Sequence, residues 1–174
     1  MRVIYCVDVD YQPAGVTAAC VGFVQWTDAT SSAETVVRTV GAAPEYASGR
    51  FFERELPYLT GVLDRVAQPP TTIIVDGYVS LGPDRPGLGA RLHEARGIPV
   101  VGVAKSRFAG AEAVEVVRGD GRRPLYVTAI GLDVAAAAAH VQAMHGPYRI
   151  PTLVKRADAL ARGHAAPRPA IIRS

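Results

Sequence analysis

Gln68-Pro69-Pro70-Thr71-Thr72-Ile73-Ile74-Val75-Asp76-Gly77 is the stretch that decides the fold. The glutamine and the two prolines stop whatever precedes them, because proline cannot continue a helix. The β-branched run 72–75 then reads as a short, fully apolar strand, ending at a carboxylate and a glycine. Upstream, the apolar period is helical: Leu56, Leu59, Val62, Leu63 and Val66 fall on one face of a helix over 52–66. Downstream come a helix over 88–96, stopped by Gly97, and a strand over 99–103. Strand, helix and strand in succession give an α/β layer architecture.

The segments further out complete the sheet. Residues 3–9, 15–26 and 34–40 read as strands, separated by the turn signals Gln12-Pro13-Ala14-Gly15 and Thr27-Asp28-Ala29-Thr30-Ser31-Ser32. Their spacing predicts an antiparallel meander leading into a mixed sheet with helices on it. Strands over 113–118 and 125–129 flank Gly119-Asp120-Gly121. A helix over 133–144 has Asp133 as N-cap, and a short helix over 153–162 follows. With no repeat and no linker, residues 1–162 are expected to form one domain. Residues 163–174, rich in Ala, Pro and Arg, are expected to be a loosely ordered tail.

The chain has 174 residues, about half of them apolar and a fifth charged, enough to bury a core without staples. No apolar run reaches the roughly 18–20 residues of a membrane span. The opening Met1-Arg2-Val3-Ile4-Tyr5-Cys6-Val7-Asp8 carries a carboxylate in its first apolar stretch, unlike a signal peptide. Cys6 and Cys20 lie in strand-like runs without CxxC spacing and are expected as buried free thiols of a cytoplasmic protein. The net charge is only +3, but 17 of the 19 cations are Arg, leaving Lys105 and Lys155. Coding bias is the preferred reading of the excess as a whole, with guanidinium recognition of phosphate as the functional alternative.

Three carboxylates stand where packing alone would not put them. Asp8 falls in or at the end of the first strand, Asp76 ends the apolar strand 72–75, and Glu55 opens the helix between. A lone Asp at a strand end is commonly a turn former. Carboxylates on neighbouring strands repel one another unless a cation lies between them, and hard divalent ions such as Mg²⁺ take such oxygen clusters. Asp10 is an alternative to Asp8 as ligand, at most one of the two being expected to serve. Lys105, Ser106 and Arg107 follow a strand end, and a basic cluster beside carboxylates suits a phosphodiester.

The order of these pieces resembles the endonuclease V family, metal-dependent nucleases of the ribonuclease H-like fold. The family's V-D-x-S-[YF] is matched by Val7-Asp8-Val9-Asp10-Tyr11, and its Y-x-P-G by Tyr46-Ala47-Ser48-Gly49. Its F-R-E-x-P is matched by Glu53-Arg54-Glu55-Leu56-Pro57, and D-G-x-G-x-x-H-P by Asp76-Gly77-Tyr78-Val79-Ser80-Leu81-Gly82-Pro83. Gly102-Val103-Ala104-Lys105-Ser106-Arg107 matches G-V-A-K-[SK]-R, the most specific of the pieces. The last motif, R-[IL]-P-E-P-T-R-x-A-[DH], is matched by Arg149-Ile150-Pro151-Thr152-Leu153-Val154-Lys155-Arg156-Ala157-Asp158.

The resemblance implies a mixed central sheet, three leading antiparallel strands and flanking helices. It implies Asp8, Glu55 and Asp76 as metal ligands, with Asp158 and Lys105 completing the catalytic set. It implies Tyr46 and Gly49 in a wedge that parts strands, and Gly77, Tyr78, Gly82, Ser106 and Arg107 at the substrate. The implied reaction is Mg²⁺-dependent hydrolysis, Mn²⁺ substituting, of a phosphodiester 3′ to inosine in DNA or RNA by a monomer. Departures fall on the substrate-reading parts: Gly82 replaces a histidine, Val79 a glycine and Ser48 a proline. The family's P-G-H is reduced to Ala129-Ile130-Gly131, and no helix precedes the first strand. Two other readings stay open: another nucleic-acid or nucleotide substrate on the same scaffold, and a non-catalytic nucleic-acid-binding relative.

Overall fold

The computed structural model describes residues 2–41 and 51–168, residues 51 and 52 by their backbone alone. Seven strands form one mixed sheet in the order β3-β2-β1-β4-β5-β7-β6. β1 (Val3–Gln12), β2 (Gly15–Phe23) and β3 (Ala33–Val40) make the expected meander. β1 runs three residues further than its apolar core predicts, because it stays paired down to Gln12↔Gly15 around a two-residue turn. Helix α1 (Phe51–Leu63) crosses over to β4 (Pro70–Asp76), parallel to β1, and α2 (Leu88–Arg96) crosses to β5 (Val100–Ala104), parallel to β4. β6 (Val114–Val116) and β7 (Leu125–Ile130) close the far side antiparallel, followed by α3 (Val134–Ala143) and α4 (Thr152–Ala161). Asp133 caps α3 as expected, its side chain accepting the Ala136 N–H at 2.8 Å.

Helices cover both faces. Alternate residues of the strands point to opposite sides, so Tyr5, Val7, Ile73 and Val75 pack with Leu59 and Val62 of α1 and Leu92 of α2. Ile4, Cys6, Ile74, Val101 and Val103 pack with Ala137 and Val141 of α3 and Ala157 and Leu160 of α4. The same alternation keeps the cysteines apart. Cys6 pairs with Val21 and Cys20 with Val7, so the thiols lie on opposite faces and both are free.

Residues 163–168, expected to be loose, run back over the start of β3. The Arg168 N–H donates to Glu34 at 2.6 Å and Arg156 donates to the Ala166 carbonyl at 2.8 Å. The Glu34 side chain is fully buried and also takes a two-point bond from Arg156, both distances 2.9 Å, and the Ser31 hydroxyl at 2.7 Å. Burial alone would raise its pKa. Arg156, Ser31 and Arg168 outweigh that and lower it. Among the described residues no helix is long and apolar enough to cross a membrane.

Candidate active site

Strand register assembles the site. Val7 lies beside Val75, which sets Asp8 abreast of Asp76, and Asp76 lies beside Val103, which sets Lys105 two residues beyond. Cys6, Ile74 and Val103 share one face, so by strand alternation Asp8, Asp76 and Lys105 lie on that face too. α4 covers it and adds Asp158, which lines one cavity with Asp8, Asp76 and Lys105. Glu55 comes from the other side. α1 packs on the opposite face through Leu59 and Val62, and its first turns carry Glu55 over the ends of the parallel strands.

The carboxylates act on one another electrostatically. Burial and the neighbouring Asp76 and Asp158 push the Asp8 carboxyl up to about 7, against pulls from the Val9 N–H and Lys105. Burial, Asp8 and Asp76 push Glu55 up to about 8, with Arg54 pulling the other way. Lys105 Nζ stands 2.6 Å from Asp76 Oδ2. Asp158 takes a bond from Arg162 Nε at 2.8 Å. Among the described residues no three His, Cys, Asp or Glu side chains enclose a single ion position. The donor set nevertheless fits a hard divalent cation: all its atoms are carboxylate oxygens, and burial together with the neighbouring carboxylates raises Asp8 and Glu55, a penalty that a bound cation would relieve. Asp8, Glu55 and Asp76 are the residues that would hold it.

Asp10 is a different case. It stands two residues past Asp8, hence on the same face, but accepts from Gln12 Nε2 at 2.9 Å and does not figure in the shifts of Asp8 or Glu55. Of the substrate-side expectations, Tyr46 and Gly49 lie outside the described residues. Tyr78 is not a free platform: its hydroxyl donates to the Ser106 carbonyl at 2.8 Å and accepts the Phe108 N–H at 3.0 Å. Ser106 thus contributes its carbonyl to that bracket, while Arg107 turns to Glu115 at 3.1 Å. Gly77 ties the loop to β5 through its N–H on the Val103 carbonyl, 3.1 Å. Gly82 lines a second cavity of about 630 Å³, which also reaches Gly110 and Thr128. Val79, the β-branched residue in a glycine position, lines that same cavity. It is 3% exposed, faces the core over Leu88 and Leu92, and leaves Gly89 no room for a side chain.

One group escapes sequence reading. Arg118 is 4% exposed, and its guanidinium donates to the carbonyls of Gln142, Met144, Gly146, Tyr148 and Arg149. It thereby holds the segment between α3 and α4 against the end of β6. Gly119 beside it has φ +63°, and a Cβ there would strike the Pro147 carbonyl. The held segment delivers Arg149, which donates to the carbonyls of Lys105 and Pro124. An arginine closing a short strand reads from sequence as a solvated cation. Its acceptors lie 24–31 residues away and leave no local signal.

A model of the family described as endonuclease V matches residues 1–127. The match takes in Asp8, Glu55, Asp76 and Lys105 and stops before Asp158. The endonuclease V of Streptomyces coelicolor is 34% identical over 139 residues, 67% of this chain and 59% of that one. The Streptomyces avermitilis enzyme is 34% identical over 139 residues, covering 60% of its length. The chain thus spans about three fifths of the length of these curated relatives. The solved structure of the S. avermitilis endonuclease V superposes with a TM-score of 0.75 at 29% identity, covering 93% of this chain and 80% of that one. A Ciona intestinalis endonuclease V, solved with an inosine-containing 23-mer DNA, superposes at 0.78 with 16% identity and coverage of 94% and 85%, a likeness of fold alone. Sequence and architecture agree that this chain belongs to the endonuclease V family.

Proposed function

We propose that this protein is a divalent-metal-dependent endonuclease that cuts a phosphodiester 3′ to inosine in DNA or RNA. The observation that carries the reading is the register that sets Asp8 beside Asp76, with Lys105 on the same edge and Glu55 reaching over it. A bound Mg²⁺ or Mn²⁺ would polarise the phosphate, lower the pKa of a water and offset charge on the leaving oxygen. The chain's own residues do the rest. Lys105 holds an ammonium at the position of the phosphate charge, and the Arg149 bond to its carbonyl fixes its backbone. Asp158 adds a further carboxylate to the wall beside Asp8, suited to orienting a water. A 3′-hydroxyl and a 5′-phosphate are the products, one bond beyond the inosine.

The base would be flipped from its stack into the loop region after β4. There the changed residues weaken selectivity. Gly82 offers no imidazole to bond the base, and a site without its hydrogen-bond partner discriminates poorly. The test is cleavage of matched single- and double-stranded oligonucleotides, inosine against adenosine, DNA against RNA, with Mn²⁺. Cutting one bond 3′ of inosine, with only a modest lead over adenosine, is the expected result. Equal cutting of every substrate would favour a different substrate on this scaffold. No cutting of any of them would leave the non-catalytic reading.

A further inference from the structure

The cavity that the carboxylates line also runs against α4 and the segment before it. It measures about 290 Å³, at the small end of ligand pockets. Ile74, Val75, Ile150, Val154 and Ala157 give it apolar walls, and Asp8, Asp76, Asp158 and Lys105 line it as well. Arg149 is also in its wall, and Arg149 Nε is buried without a hydrogen-bond partner among the described residues. Tyr148 lines it from the outside, 69% exposed, with Lys155 Nζ 5.8 Å from the ring centre. An exposed aromatic is common, but this one sits on a backbone pinned by a buried guanidinium: Arg118 donates to its carbonyl at 3.0 Å. An aromatic carried on a fixed backbone, beside apolar walls and the cations Lys105, Arg149 and Lys155, suits a nucleobase, which stacks by its face and brings a phosphate with it.

The slot is not where the damaged base would go. The loop after β4 packs by Val79 on the face covered by α1 and α2, whereas the slot opens on the face covered by α4. We propose that the cavity beneath Tyr148 is a second nucleobase subsite, receiving the base of the nucleotide directly 3′ of the cut bond while Lys155 meets its phosphate. This rests on the nuclease reading for the position of the cut, but the subsite itself is a binding claim.

The experiment places 2-aminopurine singly at each of the three nucleotides 3′ of an inosine and follows its fluorescence on protein binding, with Ca²⁺ as cation. The expected result is a change confined to the nucleotide following the cut bond. The change is kept in Tyr148→Phe and lost in Tyr148→Ala and in Val154→Trp, which fills the slot. In parallel, an abasic nucleotide at that position and Tyr148→Ala each lower kcat/KM roughly 5- to 100-fold, and together lower it no further than either alone. Melting curves confirm that each variant is folded. The proposal is overturned if the fluorescence change is the same at all three positions, if it survives both variants, or if no oligonucleotide binds. A position-specific change without cleavage of any substrate keeps the subsite and removes the nuclease reading. Cleavage that ignores the abasic nucleotide removes the subsite alone.

Discussion

Asp8 and Glu55 set the pH dependence of the metal-free protein. Both carboxyls are raised by folding, to about 7 and about 8, from ordinary values near 4. Below about pH 4 they are protonated in both states and cost nothing. As pH climbs from 4 to 8 the unfolded chain releases protons that the folded one retains, so stability falls, and the loss is complete above 8. In EDTA the melting temperature should therefore be lower at pH 9 than at pH 5.5. Asp8→Asn should flatten the decline and gain on the order of 2 kcal/mol at pH 9. A melting temperature that rises between those two pH values would contradict the assignment. Gly82 offers a second test at this scale. Its φ is +150°, where L side chains are strained, so Gly82→His should lower stability by about 1 kcal/mol or more and improve inosine selectivity little. One obstacle is the backbone at Gly82 itself, and Val79, which packs in the core and lines the same cavity, is the other.

At the scale of elements, α4 and the segment before it join the site to the rest of the fold. Arg118→Met takes the guanidinium donor from five carbonyls, that of Met144 buried and the other four part-buried, a loss worth roughly 1–3 kcal/mol for a fully buried acceptor. Partial rewetting makes about 3 kcal/mol the expected total, read by denaturant unfolding, with kcat lowered because Arg149 no longer fixes Lys105. Unchanged stability would show that the segment holds itself. Arg156, which sits inside the last family motif, proves structural: it pairs with buried Glu34. Arg156→Ala should cost about 3–5 kcal/mol by stranding that carboxylate. Glu34 has a lowered pKa, so its contribution is present above about pH 4.5 and fades as pH falls below that, opposite in sign to Asp8.

Most elements were legible because each announces its period locally: the β-branched run 72–75, the helical stripe from Leu56 to Val66, and the tight Gln12–Gly15 turn. Asp8 and Asp76 were legible because a carboxylate interrupts an apolar strand. Tyr148, Arg118 and the pinning of residues 163–168 were not. Their reasons lie in contacts between segments distant in the chain, and they look from sequence like ordinary surface residues.

For the molecule as a whole, charge is a modest lever. The net charge is +3, and Lys105 and Arg107 each meet a carboxylate, so binding should track salt with a shallow slope. Lys155→Ala should reduce that slope by about one and weaken all sequences alike, as a phosphate contact does. The central claim is that the carboxylates gathered around the central strands β1 and β4 cut nucleic acid with a divalent metal. It is tested most directly by single-turnover cleavage of an inosine-containing single strand, with Mn²⁺ or EDTA, by the wild-type protein and by Asp76→Asn. The account predicts a cut one bond 3′ of the inosine only with Mn²⁺, and at least a thousandfold loss, about 4 kcal/mol of barrier, in Asp76→Asn with its melting temperature held or raised. Cleavage that persists in EDTA, or that Asp76→Asn leaves undiminished, would contradict it.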